Sequence, residues 1–173
     1  LEAFVRATHG RVPVIAHVGD VDRRKATLQA VHAQDVGADG TTAIAPYYHP
    51  VSDSASRDYF ATLANATPDL PFFVYNYPGV TGNPVSFEMF QALLAVPNVV
   101  GIKHSVGTFE ELEPYLSLPS YLCVMAGNDS LVGGNGNDRL SGGLHVPEHS
   151  RATIRVWPCS LISSPVHPTP SWG

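Results

Sequence analysis

Five short apolar runs, each separated from the next by a stretch with helical spacing, constrain this chain more than any other feature. Residues 12–18, 40–45, 71–75, 99–103 and 121–125 are rich in β-branched and aromatic residues and read as strands. Between the first two, Asp20 or Asp22 can cap a helix that uses Ala26, Leu28, Ala30, Val31 and Ala33, and Gly37 stops it. Residues 52–65 form the next helix, with Tyr59, Phe60 and Leu63 on one side. A third spans 86–95 with Ser86 as N-cap, and a fourth spans 108–116, opening on a Thr-x-x-Glu capping box.

Strands joined by helices of this length pair in parallel through right-handed crossovers, so the fold class is α/β. Two architectures meet that demand, a doubly wound sheet and a (β/α) barrel. No Gly-x-Gly-x-x-Gly follows the first strand and no phosphate loop occurs anywhere, which weakens the nucleotide-binding sheet. Tyr48, Tyr75 and Lys103 lie at or just past the C-terminal ends of their strands, where barrels carry catalytic groups. The expected fold is therefore part of a TIM (β/α)8 barrel, about five βα units long.

Composition narrows the function. The chain has 173 residues, 44% hydrophobic and 14% charged, with a net charge of −5, so no basic surface for nucleic acid is implied. No apolar run approaches the roughly 18 residues of a membrane span, and the N-terminus shows no secretory pattern. Cys123 and Cys159 are too few and too far apart for a disulfide framework or zinc site, so a cytoplasmic setting is expected. The eight histidines are scattered without metal-ligand spacing, and no metal site is expected.

Lys103 closes the run Val99-Val-Gly-Ile-Lys103, and Tyr75 closes Phe72-Phe-Val-Tyr75. An amine at the end of a buried strand loses hydration, which favours the neutral form that attacks carbonyls, and a neighbouring phenol can move protons. Taken singly, Lys103 also fits a solvated strand-end lysine, Tyr75 a core residue, and Tyr48 a packing residue. His17, His49 and His104 read as surface or packing residues, and Cys123 as a small buried hydrophobe.

The ordered markers Gly10-Arg-Val-Pro-Val-Ile-Ala16, Val36-Gly-Ala-Asp-Gly40, Pro46-Tyr-Tyr48, Tyr75-Asn-Tyr-Pro78, Thr81-Gly82, Gly101-Ile-Lys103 and Ala126-Gly-Asn-Asp-Ser130 decide between these readings. They resemble the dihydrodipicolinate synthase and N-acetylneuraminate lyase family of pyruvate-dependent class I aldolases, from about residue 11 to 132. The resemblance implies that Lys103 forms a Schiff base with pyruvate, or with a 2-keto acid that releases it. It implies that Tyr75 relays protons, and that Tyr48 matches a relay position at a subunit contact. Thr81 and Gly82 match the loop near the aldehyde end of the substrate. No cofactor or metal is implied, and the family assembles as homo-oligomers, commonly tetramers. Where dihydrodipicolinate synthase has a carboxylate-binding arginine, this chain has Val80, so the motif is more similar to 2-keto-3-deoxy sugar acid aldolases. N-acetylneuraminate lyase is the neighbouring possibility. His104 replaces the acidic or amide residue common after the lysine.

The family barrel has eight strands, and the resemblance matches this chain to the third through seventh. The expected organisation is a partial barrel domain at 1–132 and an irregular Gly/Pro/Ser-rich tail at 133–173, explicable as a shifted reading frame. Five strands cannot close a barrel, so the alternative is an inactive fragment or interaction module. Residues 133–141 also fit the calcium-binding nonapeptide Gly-Gly-x-Gly-x-Asp-x-U-x, with a partial repeat before them, giving a candidate segment at 124–143. A stable β-roll needs at least about three repeats, which weighs against calcium binding here.

Overall fold

The computed structural model describes residues 1–105, 109–119 and 121–126. In chain order they form α1 (Glu2–Thr8), β1 (Ile15–His17), α2 (Arg23–Asp35), β2 (Gly40–Ile44), α3 (Asp53–Ala66), β3 (Phe72–Asn76), α4 (Pro78–Thr81), α5 (Phe87–Leu93), β4 (Val99–His104), α6 (Phe109–Leu116) and β5 (Cys123–Ala126). The strands make one parallel sheet in the order β1-β2-β3-β4-β5. All five expected strands are present in the expected sequence, and the architecture is the expected run of βα units from a (β/α) barrel. Among the described residues, β1 and β5 each pair on one side only.

Several boundaries differ for identifiable reasons. β1 begins at Ile15 rather than at residue 12. Pro13 has no N–H to give a neighbouring strand, and the Val14 N–H donates to the Asp39 carboxylate at 2.7 Å. The short helices α1 and α4 lie in segments that the sequence pattern leaves unassigned. Asp22 rather than Asp20 caps α2, accepting from the Arg24 N–H at 2.9 Å. Ser52 and Ser86 cap α3 and α5 through the Ala55 and Met89 N–H groups. Gly37, with φ of 79°, ends α2 as expected. Thr108, the postulated tail and the calcium-like repeat beyond Ala126 lie outside the described residues.

The two faces of the sheet bury different residues because side chains alternate along a strand. Ala16, Ala43, Phe72, Val74, Val99 and Ile102 pack toward the helices, against Phe60, Leu63, Phe90 and Leu93. Phe73, Val100 and Cys123, with Ile15 and Met125 alongside, form a smaller cluster on the opposite, concave face. Helix α2 meets the sheet through Ala26, Ala30 and Ala33, which helical spacing aligns on one stripe. Leu28 and Val31, which share the helical pattern, are rotated off the stripe, and Leu28 is 70% exposed.

Two polar ties hold this layer to the loops. Asn98 sits 4% exposed with its amide nitrogen 2.9 Å from each of the carbonyls of Ala64, Thr67 and Leu70, binding the turn after α3 to the start of β4. The Tyr59 hydroxyl donates to the Asp20 carbonyl at 2.9 Å and accepts from the Asp20 N–H at 3.1 Å. Burial is the main reason its pKa is pushed up to about 12. Tyr59→Phe leaves both backbone groups of Asp20 without that partner. The expected cost is about 1–3 kcal/mol, read as a lower urea midpoint at constant m. An unchanged midpoint would show that water replaces the phenol at no cost.

Candidate active site

Register brings the two main sequence candidates together. Tyr75 on β3 pairs with Lys103 on β4, and both side chains emerge on the concave face, one step beyond the Phe73–Gly101 pair. Gly101 lets β5 come close: a Cβ there would run into the Cys123 carbonyl. The Lys103 amine lies 3.5 Å from the centroid of the Tyr75 ring, over its face. Tyr77 stacks on Tyr75 at 6.0 Å with an interplanar angle of 18°, and His17 meets it edge-on at 6.3 Å and 88°.

The electrostatics of Tyr75 suit a proton carrier. Burial raises its pKa, but hydrogen bonding to Lys103 and Ser105 and the positive charge of Lys103 outweigh that, leaving the phenol below the ordinary tyrosine value. Its proton is therefore easier to give up near neutral pH than that of a surface tyrosine. Ser105 was not expected from the sequence. It sits two residues past Lys103, the spacing that puts two strand residues on one face, and its N–H donates to the Asn76 carbonyl at 2.8 Å.

His104 faces the helices, on the other side of β4 from Lys103, and is 5% exposed. Its Nδ1 accepts from the Asn76 amide at 3.0 Å, so the neutral ring carries its proton on Nε2, which donates to the Glu111 carbonyl at 3.2 Å. The remaining groups of the Asn76 amide are taken by the Val85 carbonyl and N–H, and Tyr115 packs on the imidazole at 4.6 Å. Burial lowers the pKa of His104, partly offset by the Glu111 carbonyl and carboxylate. This histidine joins the ends of β3 and β4 to α6 and thereby holds the strand segment that carries Lys103.

The remaining candidates lie in two loops tied together by Asn83. Tyr48 has φ of 75° and is 81% exposed, with its ring against Tyr47 at 4.8 Å. It stands toward solvent rather than with the Lys103–Tyr75 pair. The Asn83 amide donates to the carbonyls of Pro46 and His49, each at 2.8 Å, and its oxygen accepts from the Val51 N–H at 3.0 Å. The loop is thus gripped on both sides of Tyr48. Thr81 is buried, and its hydroxyl is engaged with the Tyr77 carbonyl and with the Asn83 backbone. Gly82, with φ of 68°, caps α4. Thr81 and Gly82 therefore shape the loop beside the site. Nothing in the sequence pattern flagged Asn83, because its partners lie more than thirty residues away in the chain.

No group of three or more metal-ligating side chains occurs among the described residues, and no helix among them is long and apolar enough to cross a membrane. Cys123 is buried and not in a disulfide.

A lysine and a tyrosine thus stand side by side at neighbouring strand ends of a parallel βα array, where (β/α) barrels carry their functional groups. A sequence profile of the Dihydrodipicolinate synthetase family matches residues 1–139, and the chain belongs to that family. It is 36% identical over 130 residues to an uncharacterised DapA-like lyase of Halobacterium salinarum, covering 75% of this chain and 42% of that protein. A prophage protein of the dihydrodipicolinic acid synthase family from E. coli K12, solved in complex with pyruvate, superposes with a TM-score of 0.69 at 29% identity. That match covers 75% of this chain and 46% of the other. A catalytic lysine mutant of the Ruminococcus gnavus sialic acid aldolase superposes with a TM-score of 0.67 at 25% identity, covering 69% and 40%. The chain thus spans less than half the length of the relatives it matches.

Proposed function

We propose that this chain carries the nucleophile and proton carrier of a Schiff-base lyase that makes or cleaves a carbon–carbon bond between pyruvate and an aldehyde. The observation that supports this best is the Lys103 amine 3.5 Å over the Tyr75 ring, at paired positions of adjacent strands. The Lys103 amine attacks the ketone carbon, and Tyr75 gives a proton to the departing hydroxyl so that water leaves and an iminium remains. The iminium draws electrons from the bond beside it, and that bond breaks or forms. A family member solved with pyruvate and another known through its catalytic lysine support the same assignment.

Among possible partners of pyruvate, a polyhydroxylated aldehyde fits better than a charged one. Val80, on α4 and 63% exposed, stands where a carboxylate-binding arginine would serve the synthase reaction. The reading is therefore a 2-keto-3-deoxy sugar acid aldolase. Tyr48, exposed on a backbone of positive φ, is assigned to a contact with a second copy of the chain in a homo-oligomer. A cytoplasmic setting suits a chain whose two cysteines, Cys123 and Cys159, are too few and too far apart for a disulfide framework.

Borohydride reduction in the presence of pyruvate tests the reading directly. The expected product is a single 1-carboxyethyl group on the amine that peptide mapping assigns to Lys103 and that disappears in Lys103→Ala. A folded chain that gains no mass at Lys103 would leave the family fold without its chemistry.

A further inference from the structure

His17 was expected to be a surface or packing residue, and the fold gives it a more specific position. It ends β1 on the same face as Ile15, since Ala16 between them packs toward the helices. Ile15 belongs to the concave cluster with Phe73, Val100 and Cys123, so His17 shares the face that carries Tyr75 and Lys103. Its ring meets Tyr75 edge-on at 6.3 Å. Its Nε2 accepts from the Ile44 N–H at 3.3 Å, and Ile44 is the register partner of Tyr75. The neutral ring therefore carries its proton on Nδ1, which has no hydrogen-bond partner among the described residues.

The neighbouring backbone leaves space for this arrangement. A Cβ at Gly19 would sit 2.9 Å from the Ile44 nitrogen and 3.0 and 3.2 Å from atoms of the His17 ring. Glycine at that position lets the loop after β1 turn without displacing the imidazole. Partial burial, and then the charge of Lys103, lower the pKa of His17, which favours the neutral ring. A neutral, oriented N–H beside the lysine–tyrosine pair suits a hydroxyl oxygen, whereas a carboxylate would be better served by a cation.

We propose that His17 is a specificity-determining residue of this site, its Nδ1–H donating to a hydroxyl of a polyhydroxylated 2-keto acid whose ketone is bound at Lys103. Pyruvate, which has no hydroxyl beyond its ketone, does not use this donor. The assignment rests on the Schiff-base reading and extends it from the reacting ketone to the chain of the substrate.

The test compares pyruvate with 2-keto-3-deoxygluconate, each trapped by borohydride on the 173-residue chain, in the parent, His17→Phe and His17→Asn. His17→Phe keeps an aromatic ring beside Tyr75 but has no donor, and His17→Asn returns an N–H close to the Nδ1 position. The expected result in His17→Phe is about a tenfold rise in the half-saturating concentration of the longer acid relative to that of pyruvate, the size of one neutral hydrogen bond. His17→Asn should recover part of that ratio. Both acids react at the same lysine, so a loss of folding lowers both and leaves the ratio where it was. A ratio within twofold of the parent in His17→Phe, with both acids still trapped, overturns the role of His17 and leaves the lyase reading intact. Failure of the parent chain to trap either acid overturns both.

Discussion

Tyr75→Phe should slow iminium formation at Lys103 by about 10²–10⁴-fold, the range for loss of a positioned acid–base group, while leaving the chain folded. The substitution removes one oxygen and keeps the ring that Tyr77 stacks on, that His17 abuts and over which the lysine amine lies. On the proposed Schiff-base reading, what is lost is the proton that must reach the hydroxyl leaving the tetrahedral adduct. The effect should appear in the rate of trapping with pyruvate, measured by intact mass against time, more than in the final extent. Its pH dependence follows from the direction in which the phenol is shifted. Hydrogen bonding from Lys103 and Ser105, with the charge of Lys103, brings Tyr75 below the ordinary tyrosine value despite its burial. A proton donor with a lowered pKa is spent sooner as pH rises, so the rate should fall on the alkaline side before an ordinary tyrosine would ionise. That limb should be missing in Tyr75→Phe. If the substituted chain reacts as fast as the parent and keeps the limb, another group supplies the proton.

Gly101→Ala should cost about 4 kcal/mol or more, in the uncommon upper tail of single substitutions. The new methyl would occupy the position of the Cys123 carbonyl, a backbone group that no rotamer change can move. β4 and β5 would have to separate along the pairs Gly101–Cys123, Ile102–Val124 and Lys103–Met125. The Phe73–Val100–Cys123 cluster would open with them, exposing the concave face beneath Lys103. For a domain whose total stability is about 5–15 kcal/mol, such a loss takes much of the population out of the native state. Urea denaturation followed by far-UV circular dichroism would show the midpoint falling steeply, and trapping at Lys103 should decline in step. A change under about 1 kcal/mol would mean that β5 sits farther from β4 than the close approach at Gly101 implies.

The sequence alone determined the order and type of the five strands, the cap at Ser86, the parallel pairing, and the candidacy of Lys103 and Tyr75. These depend on local periodicity, on the hydrogen-bonding capacity of single side chains near a helix start, and on the rule that strands joined by helices run parallel. Each is decided within a few neighbouring residues or by connectivity. The same logic placed Leu28 and Val31 in one helix with Ala26, Ala30 and Ala33 but left open which of them are buried, because composition shows that a helix is apolar and not where its buried stripe faces. Only the tertiary structure decided that Tyr75 pairs in register with Lys103, which turns two separate strand ends into one site. It also decided that His17 joins them from two strands away, that Asn83 grips the loop of Tyr48 from more than thirty residues along the chain, and that His104 acts as a buried tie through Asn76 and Glu111. Tyr48 fits a strand-end site by its position in the chain, yet a positive φ turns it to solvent. These outcomes depend on register, on close approach at glycine and on the pairing of distant polar groups. All three arise when separate elements pack and no local pattern encodes them.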